Sequence, residues 1–337
     1  MADYSKNVEE SVKKLKKLRE EMHRVIVGQD EVLDLIQLAL LCEGHVLLEG
    51  VPGLGKTLMV RTLAHALSLG FSRIQFTPDL MPADVLGNSI VMQEKAGDFT
   101  LRFEKGPIFA NLVLADEINR ASPKTQSALL EAMQEQAVTV RGERYELPRP
   151  FQVLATQNPL EMEGTYPLPE AQVDRFLFKI IVRYPSEREL ITIMERTLGA
   201  ETPTCQTALN VDDLRILQKA VREVVVPPQV SAFAVRLILA TQPGQESAPA
   251  KVREFVRYGA GPRGAQALIL GGKARALSHG RFNVSLEDIK ELAVPALRHR
   301  VALNFDGLSE GIQVGALIKD LCELIPVDYE QPAAIRS

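Results

Sequence analysis

The residues Gly50-Val51-Pro52-Gly53-Leu54-Gly55-Lys56-Thr57 fit the spacing G-x-x-x-x-G-K-[ST]. They follow a strand-like apolar run, HVLLE, and precede a helical pattern, LMVRTLAHAL, which is the setting in which this spacing carries chemistry. Glycines let backbone N–H groups wrap phosphate oxygens, and the start of the next helix adds the favourable end of its dipole. Lys56 is then placed to reach the β- and γ-phosphates of a nucleotide, and the Thr57 hydroxyl to hold Mg2+. A second run, LVLADE, ends in Asp116-Glu117. Asp116 can hold Mg2+ and Glu117 can take the proton from an attacking water, which points to hydrolysis rather than transfer to a second substrate. A pair of acids capping the next helix is the plainer alternative, the lesser one even for the pair taken alone. A third run, FQVLATQNP, ends in Thr156-Gln157-Asn158. The carboxyl end of a strand borders the ligand crevice of an open α/β sheet, so Asn158 could orient the water. By itself an Asn-Pro pair reads first as a turn signal.

A fourth stretch, LPEAQVDRFLFKI (168–180), puts Arg175 between an acid and an apolar run, where a core element should begin. A charge there needs a partner. Asp174 and Glu170 are the local choices, and a group on another chain is the distant one.

These residues need a scaffold. HVLLEG (45–50), SRIQF (72–76), NLVLAD (111–116), FQVLAT (151–156) and FLFKIIV (176–182) are short apolar runs separated mostly by helical patterns. That alternation predicts a five-stranded parallel sheet buried on both faces. Ser122-Pro123 opens a helix, with serine as N-cap and proline at the first helical position. Residues 89–103 and 137–147 break the alternation and read as inserted β-hairpins. After Tyr184-Pro185 helical patterns dominate, beginning with a capping box, Ser186 with Glu189. The expected layout is an N-terminal helix over 1–24, an α/β domain over 25–185 and a smaller all-helical domain over 186–337. In the first helix Val8, Val12, Leu15 and Leu18 share one face, which predicts packing on its own domain.

Composition narrows the classes. Net charge is −4, which disfavours a broad nucleic-acid footprint. Tryptophan is absent and aromatic residues make up 5% of the chain, so base-stacking platforms are disfavoured too. No apolar run reaches membrane-spanning length, and the charged N-terminus lacks the apolar segment of a signal peptide; cytoplasmic residence is expected. Cys42, Cys205 and Cys322 lie far apart and read as buried small hydrophobes. The five histidines show no ligand spacing.

Together, IVGQ (26–29), GVPGLGKT, LADEINRASPKTQSALLEAMQE, ATQNP, LPEAQVDRF and GPRGAQAL (261–268) give a chain that resembles the MoxR family of AAA+ ATPases from about Val25 to Pro326. The guanine-reading NKxD and the LSGGQ of ABC transporters are absent. The resemblance implies a P-loop AAA+ core with a helical lid, and ATP and Mg2+ as ligands. It makes GVPGLGKT the Walker A motif, with Gly50, Pro52, Gly53, Leu54, Gly55, Lys56, Thr57 and Leu58 around the nucleotide. It makes LVLADE the Walker B motif, Asn158 sensor 1, Arg175 an arginine finger and Arg263 sensor 2. Val27, Gly28 and Gln29 would lie beside adenine, and the two hairpins would face a central pore. Gly264 departs mildly from the alanine or serine expected after Arg263. Arg120 fits the family pattern as either a subunit contact or a structural ion pair. The resemblance further implies a homo-oligomeric ring of six, chaperone-like work on protein clients, and a von Willebrand factor A-domain partner. A nucleic-acid motor and a non-hydrolysing, nucleotide-gated scaffold are the competing classes.

Overall fold

The five apolar runs become five parallel strands in a computed structural model that describes residues 2–93, 99–159, 164–199 and 203–327. Two helices, α1 (Ala2–Val25) and α2 (Asp30–Leu41), precede the first strand, β1 (Val46–Glu49), and α3 (Lys56–Ala66) follows it. Next come β2 (Phe71–Gln75), α4 (Pro82–Leu86), the hairpin β3 (Gly87–Gln93) and β4 (Phe99–Lys105), then β5 (Leu112–Asp116). After α5 (Pro123–Glu135) a second hairpin, β6 (Ala137–Val140) and β7 (Glu143–Glu146), leads to β8 (Gln152–Gln157). The short α6 (Glu170–Val173) and β9 (Phe178–Ile181) complete the sheet, which runs β2-β5-β8-β1-β9. Its central strands are fully covered: Leu47, Val113, Leu114, Val153 and Leu154 are all solvent-inaccessible. This is why these strands are continuous apolar runs instead of alternating ones.

Both hairpins form. The first pairs Gly87 with Lys105 through Gln93 with Phe99, slightly longer than the expected 89–103, and its turn lies outside the described residues. The second turns on Arg141 and Gly142, with φ of 53° and 84°. Positive φ at both central residues is the hairpin turn whose twist matches the strands. Phe103 stacks on Tyr145 with ring centroids 4.2 Å apart, tying one hairpin to the other.

The chain divides into two compact units, Met1–Gln218 and Lys219–Ser337. The sequence changes character near 185, but α7 (Glu187–Leu198) and most of α8 (Val211–Glu223) fall in the first unit. Arg196 of α7 donates to the His23 and Arg24 carbonyls, and Lys14 of α1 pairs with Asp213 of α8 at 2.8 Å. Helix α1 buries Val8, Leu15, Leu18 and Met22 and packs on α3, the own-domain packing expected of it.

The second unit contains α9 (Pro228–Ala240), α10 (Ala250–Phe255), α11 (Pro262–Ser278), α12 (Leu286–Leu297), α13 (Phe305–Ser309) and α14 (Val314–Leu324). It is helical apart from a short antiparallel ladder, β10 (Val256–Tyr258) with β11 (Ala302–Leu303). Asp288 is fully buried there between Arg275 and Arg281, at 2.7 and 2.6 Å. Burial pushes its carboxyl up, but the hydrogen bonds from Arg281, Ser285 and Arg275 outweigh that and hold it well below the ordinary range. Among the described residues no helix is long and apolar enough to cross a membrane.

One core histidine couples fold to pH. His45, 8% exposed, accepts from the Val153 N–H at 3.0 Å through Nδ1 and faces the Met133 carbonyl at 3.2 Å through Nε2. That geometry fixes the neutral ring with its proton on Nε2, and burial holds its pKa at about 4, below the ordinary 6.5. The unfolded chain therefore takes up a proton that the folded chain refuses as pH falls from 6.5 to 4. Stability present above pH 6.5 is lost across that window, by about 3 kcal/mol in full. Urea unfolding at several pH values should show this slope in the wild type and a flatter one in His45→Gln. Equal slopes would contradict the neutral buried ring.

Candidate functional site

The loop between β1 and α3 takes its shape from two glycines, Gly53 and Gly55, at φ of 84° and 74°. A Cβ at either would meet nothing within 4 Å, so backbone conformation and not space calls for glycine. The turn delivers Lys56 and Thr57 as the first residues of α3, so the loop's N–H groups and the helix N-terminus face one place. Lys56 is buried to 8% exposure and its Nζ donates to the Gly50 carbonyl at 2.6 Å. Burial pulls its pKa below the ordinary lysine value, against the opposing charges of Asp116 and Glu117.

The sheet brings the acids to this loop. In the strand order β8 stands next to β1 and β5 next to β8, so the carboxyl ends carrying Asp116, Asn158 and the glycine loop lie together. Asp116 Oδ1 accepts from the Thr156 hydroxyl at 2.6 Å, and the same hydroxyl oxygen accepts from the Glu117 N–H at 2.8 Å. Glu117 has φ of 57°, which turns the chain sharply off the strand end. Its Oε2 accepts from Gln75 Nε2 at 2.9 Å and from Arg120 Nη1 at 3.1 Å. Arg120 therefore makes an ion pair within its own chain, one of the two readings its sequence allowed. Asp116 Oδ2 accepts from Arg73 Nε and Nη2 at 3.1 and 2.7 Å.

Pro52, Gly53, Gly55, Lys56, Thr57 and Leu58 line one open cleft of about 500 Å³ with Asp116, Glu117 and Asn158. That volume lies within the usual range of small-molecule sites. Arg61 and Arg73 line it too, and the sequence reading named neither. Arg73 and Gln75 left one trace in the sequence: they alternate with the buried Ile74 on β2, an edge strand, and with Phe76 just past its end. Among the described residues, no group of three or more His, Cys, Asp or Glu side chains could hold a metal unaided. A hydroxyl from Thr57 and a carboxylate from Asp116 on one cleft suit Mg2+, which commonly binds through one or two protein oxygens plus substrate phosphates and water.

Gly50 and Leu54 of the loop are not part of that lining, and three further predicted elements are not part of it either. Val27, Gly28 and Gln29 precede α2, with Gly28 and Gln29 at φ of 64° and 59°. A Cβ on Gly28 would sit 1.8 Å from Glu189 Oε1, the far end of a flexible side chain that would have to swing aside, so the positive φ is the firmer reason for glycine. Gln29 Nε2 donates to the Arg183 carbonyl at 2.9 Å. Arg263 lies in the first turn of α11, in the second unit. Gly264 beside it is closely packed: a Cβ would come within 3.1 Å of Ile238 and Leu297 side-chain carbons, a packing reason for glycine where alanine or serine was expected.

Arg175 is the third. It follows α6 and lines a separate cleft with Ser127, Leu130, Glu131, Gln134 and Gln172. Its Nη1 donates to the Leu130 carbonyl at 2.8 Å, and its Nε is buried with no hydrogen-bond partner among the described residues. An orphaned guanidinium nitrogen is costly to bury.

The family described as "ATPase family associated with various cellular activities (AAA)" matches residues 45–178, and the AAA lid domain matches residues 249–321. The chain is 44% identical over 322 residues to the uncharacterized protein YeaC of Bacillus subtilis, covering 95% of this chain and 96% of that protein. It is 44% identical over 305 residues to Chaperone MoxR1 of Mycobacterium tuberculosis, covering 90% of this chain and 80% of that protein. A crystal structure of a candidate ATPase from Cytophaga hutchinsonii superposes with a TM-score of 0.87 at 39% identity, covering 95% of this chain and 97% of the other.

Proposed function

The chain belongs to the MoxR family of AAA+ ATPases and is an ATPase; we propose that its cleft binds ATP with Mg2+ and cleaves the γ-phosphate with Glu117 as the base. One observation carries this reading: Lys56, Thr57, Asp116, Glu117 and Asn158, distant in sequence, line a single cleft at the strand ends. Each then has a defined task. The loop N–H groups and Lys56 take the phosphates, with Lys56 exchanging the Gly50 carbonyl for a phosphate oxygen. Val27, Gly28 and Gln29 hold the adenine. Thr57 and Asp116 hold Mg2+, which when bound neutralises charge on the β- and γ-phosphates. Glu117 draws a proton from water that Asn158 orients. Little covalent work falls to the protein, so positioning and charge neutralisation dominate.

In the same reading the site is completed by other parts of the assembly. Arg263 of the lid reaches the γ-phosphate, and Arg175 serves the site of a neighbouring copy in a six-membered ring. The orphaned Arg175 Nε and its place outside its own chain's cleft support that role. The assembly remodels protein clients, with a von Willebrand factor A-domain protein as partner; the name of the relative Chaperone MoxR1 supports the chaperone-like part. The division at residue 185 is proposed as the point where family-type lid sequence begins. Net acidity counts against a nucleic-acid motor.

Lys56→Ala tests the site directly. Titration with a fluorescent ATP analogue should show at least roughly tenfold weaker binding, since a buried charge-assisted contact is removed. Unchanged affinity in a folded variant would contradict the placement of the phosphates.

A further inference from the structure

The hydrolytic scheme leaves Arg73 without a task, although it lines the cleft. It stands on β2, whose register sets Gln75 beside Asp116 and Arg73 beside Leu114. Arg73 and Gln75 thus share one face of the strand, directed at the acids. Arg73 Nη2 donates both to Asp116 Oδ2 at 2.7 Å and to Gln75 Oε1 at 2.6 Å. Gln75 in turn donates to Glu117 Oε2 at 2.9 Å. The other oxygen of Asp116 is taken by the Thr156 hydroxyl. Both oxygens of the acid assigned to the metal are therefore engaged by its own chain, and one of them already has a cation.

We propose that Arg73 is the resident countercharge of Asp116, holding the carboxylate when no divalent cation is bound and displaced when Mg2+ arrives with nucleotide. The proposal rests on the nucleotide-site reading above. The Asp116 side chain is 13% exposed, and a carboxylate so enclosed is costly to leave unpaired. A guanidinium meets that need as a permanent cation with directed donors. The Arg73 side chain is 46% exposed, so solvent is open to it once it leaves. Its departure also breaks the bond to Gln75, the side chain that restrains Glu117. Arg73 acts as a positioning residue; it touches no reacting atom.

The test is equilibrium binding of the fluorescent nucleotide mant-ADP to wild type and Arg73→Ala, each in EDTA and in Mg2+. In EDTA the variant leaves Asp116 uncompensated close to the phosphates, so binding weakens. In Mg2+ the cation no longer has to displace a rival, so binding is unchanged or tighter. The ratio of the EDTA Kd to the Mg2+ Kd should rise roughly tenfold over wild type, the scale of one charge-assisted contact. A phosphate-binding role for Arg73 would weaken both affinities equally, and a mere surface pair would move neither. Either result leaves the ratio unchanged and overturns the proposal. Should the alanine variant not fold, Arg73→Gln removes the charge, keeps a donor to Asp116 and is read by the same ratio. A wild type that fails to bind mant-ADP, or binds it without regard to Mg2+, overturns the parent nucleotide-site reading instead.

Discussion

Replacing Arg175 by alanine is expected to lower ATP turnover by roughly 10³–10⁵-fold, the range measured for arginine fingers in GTPases. That corresponds to about 4–7 kcal/mol of barrier. Nucleotide affinity of the variant should be little changed, because Arg175 lies outside the cleft that holds Lys56. Among the described residues the side chain donates to the Leu130 carbonyl and buries an Nε without a hydrogen-bond partner. If it serves a neighbouring copy, Arg175→Ala subunits mixed with Lys56→Ala subunits should recover part of the activity. Some interfaces then combine an intact cleft with an intact arginine. The readout is phosphate release by the mixture against each variant alone. No recovery, with assembly intact by sedimentation, would leave Arg175 as a brace for the end of α5.

The frame of this site was readable because its parts are local. The glycine loop, the strand before it and the helix after it are contiguous, and only glycine adopts the φ found at Gly53 and Gly55 without strain. Buried parallel strands leave continuous apolar runs, so all five were placed to within a few residues. Arg73 and Gln75 were not readable in the same way. Their importance arises from the register of β2 against β5, across some forty residues, with no local signature beyond alternation. Helices α4, α6, α10 and α13 span four to six residues each, too short for a helical period to show. The switch to helical sequence at 185 does not mark the end of the first compact unit. Contacts such as Arg196 to His23 and Lys14 to Asp213 join residues more than 170 positions apart, and no composition shift reports them.

If Glu117 activates water in a cleft that binds ATP, Glu117→Gln separates those two properties. Glutamine keeps the shape of the side chain and an oxygen able to accept from Gln75 and Arg120. It cannot take a proton at neutral pH. General-base catalysis contributes roughly 10²–10⁴-fold, so turnover should fall by at least about a hundredfold. The phosphate-binding loop, Thr57 and Asp116 are untouched, so ATP should bind within a few-fold of wild type. Both quantities can be measured on one preparation, with ATP affinity by titration and hydrolysis by phosphate release in Mg2+. Binding retained with release nearly abolished is the predicted result. Release within a few-fold of wild type would contradict the assignment of the base and the hydrolytic account built on it.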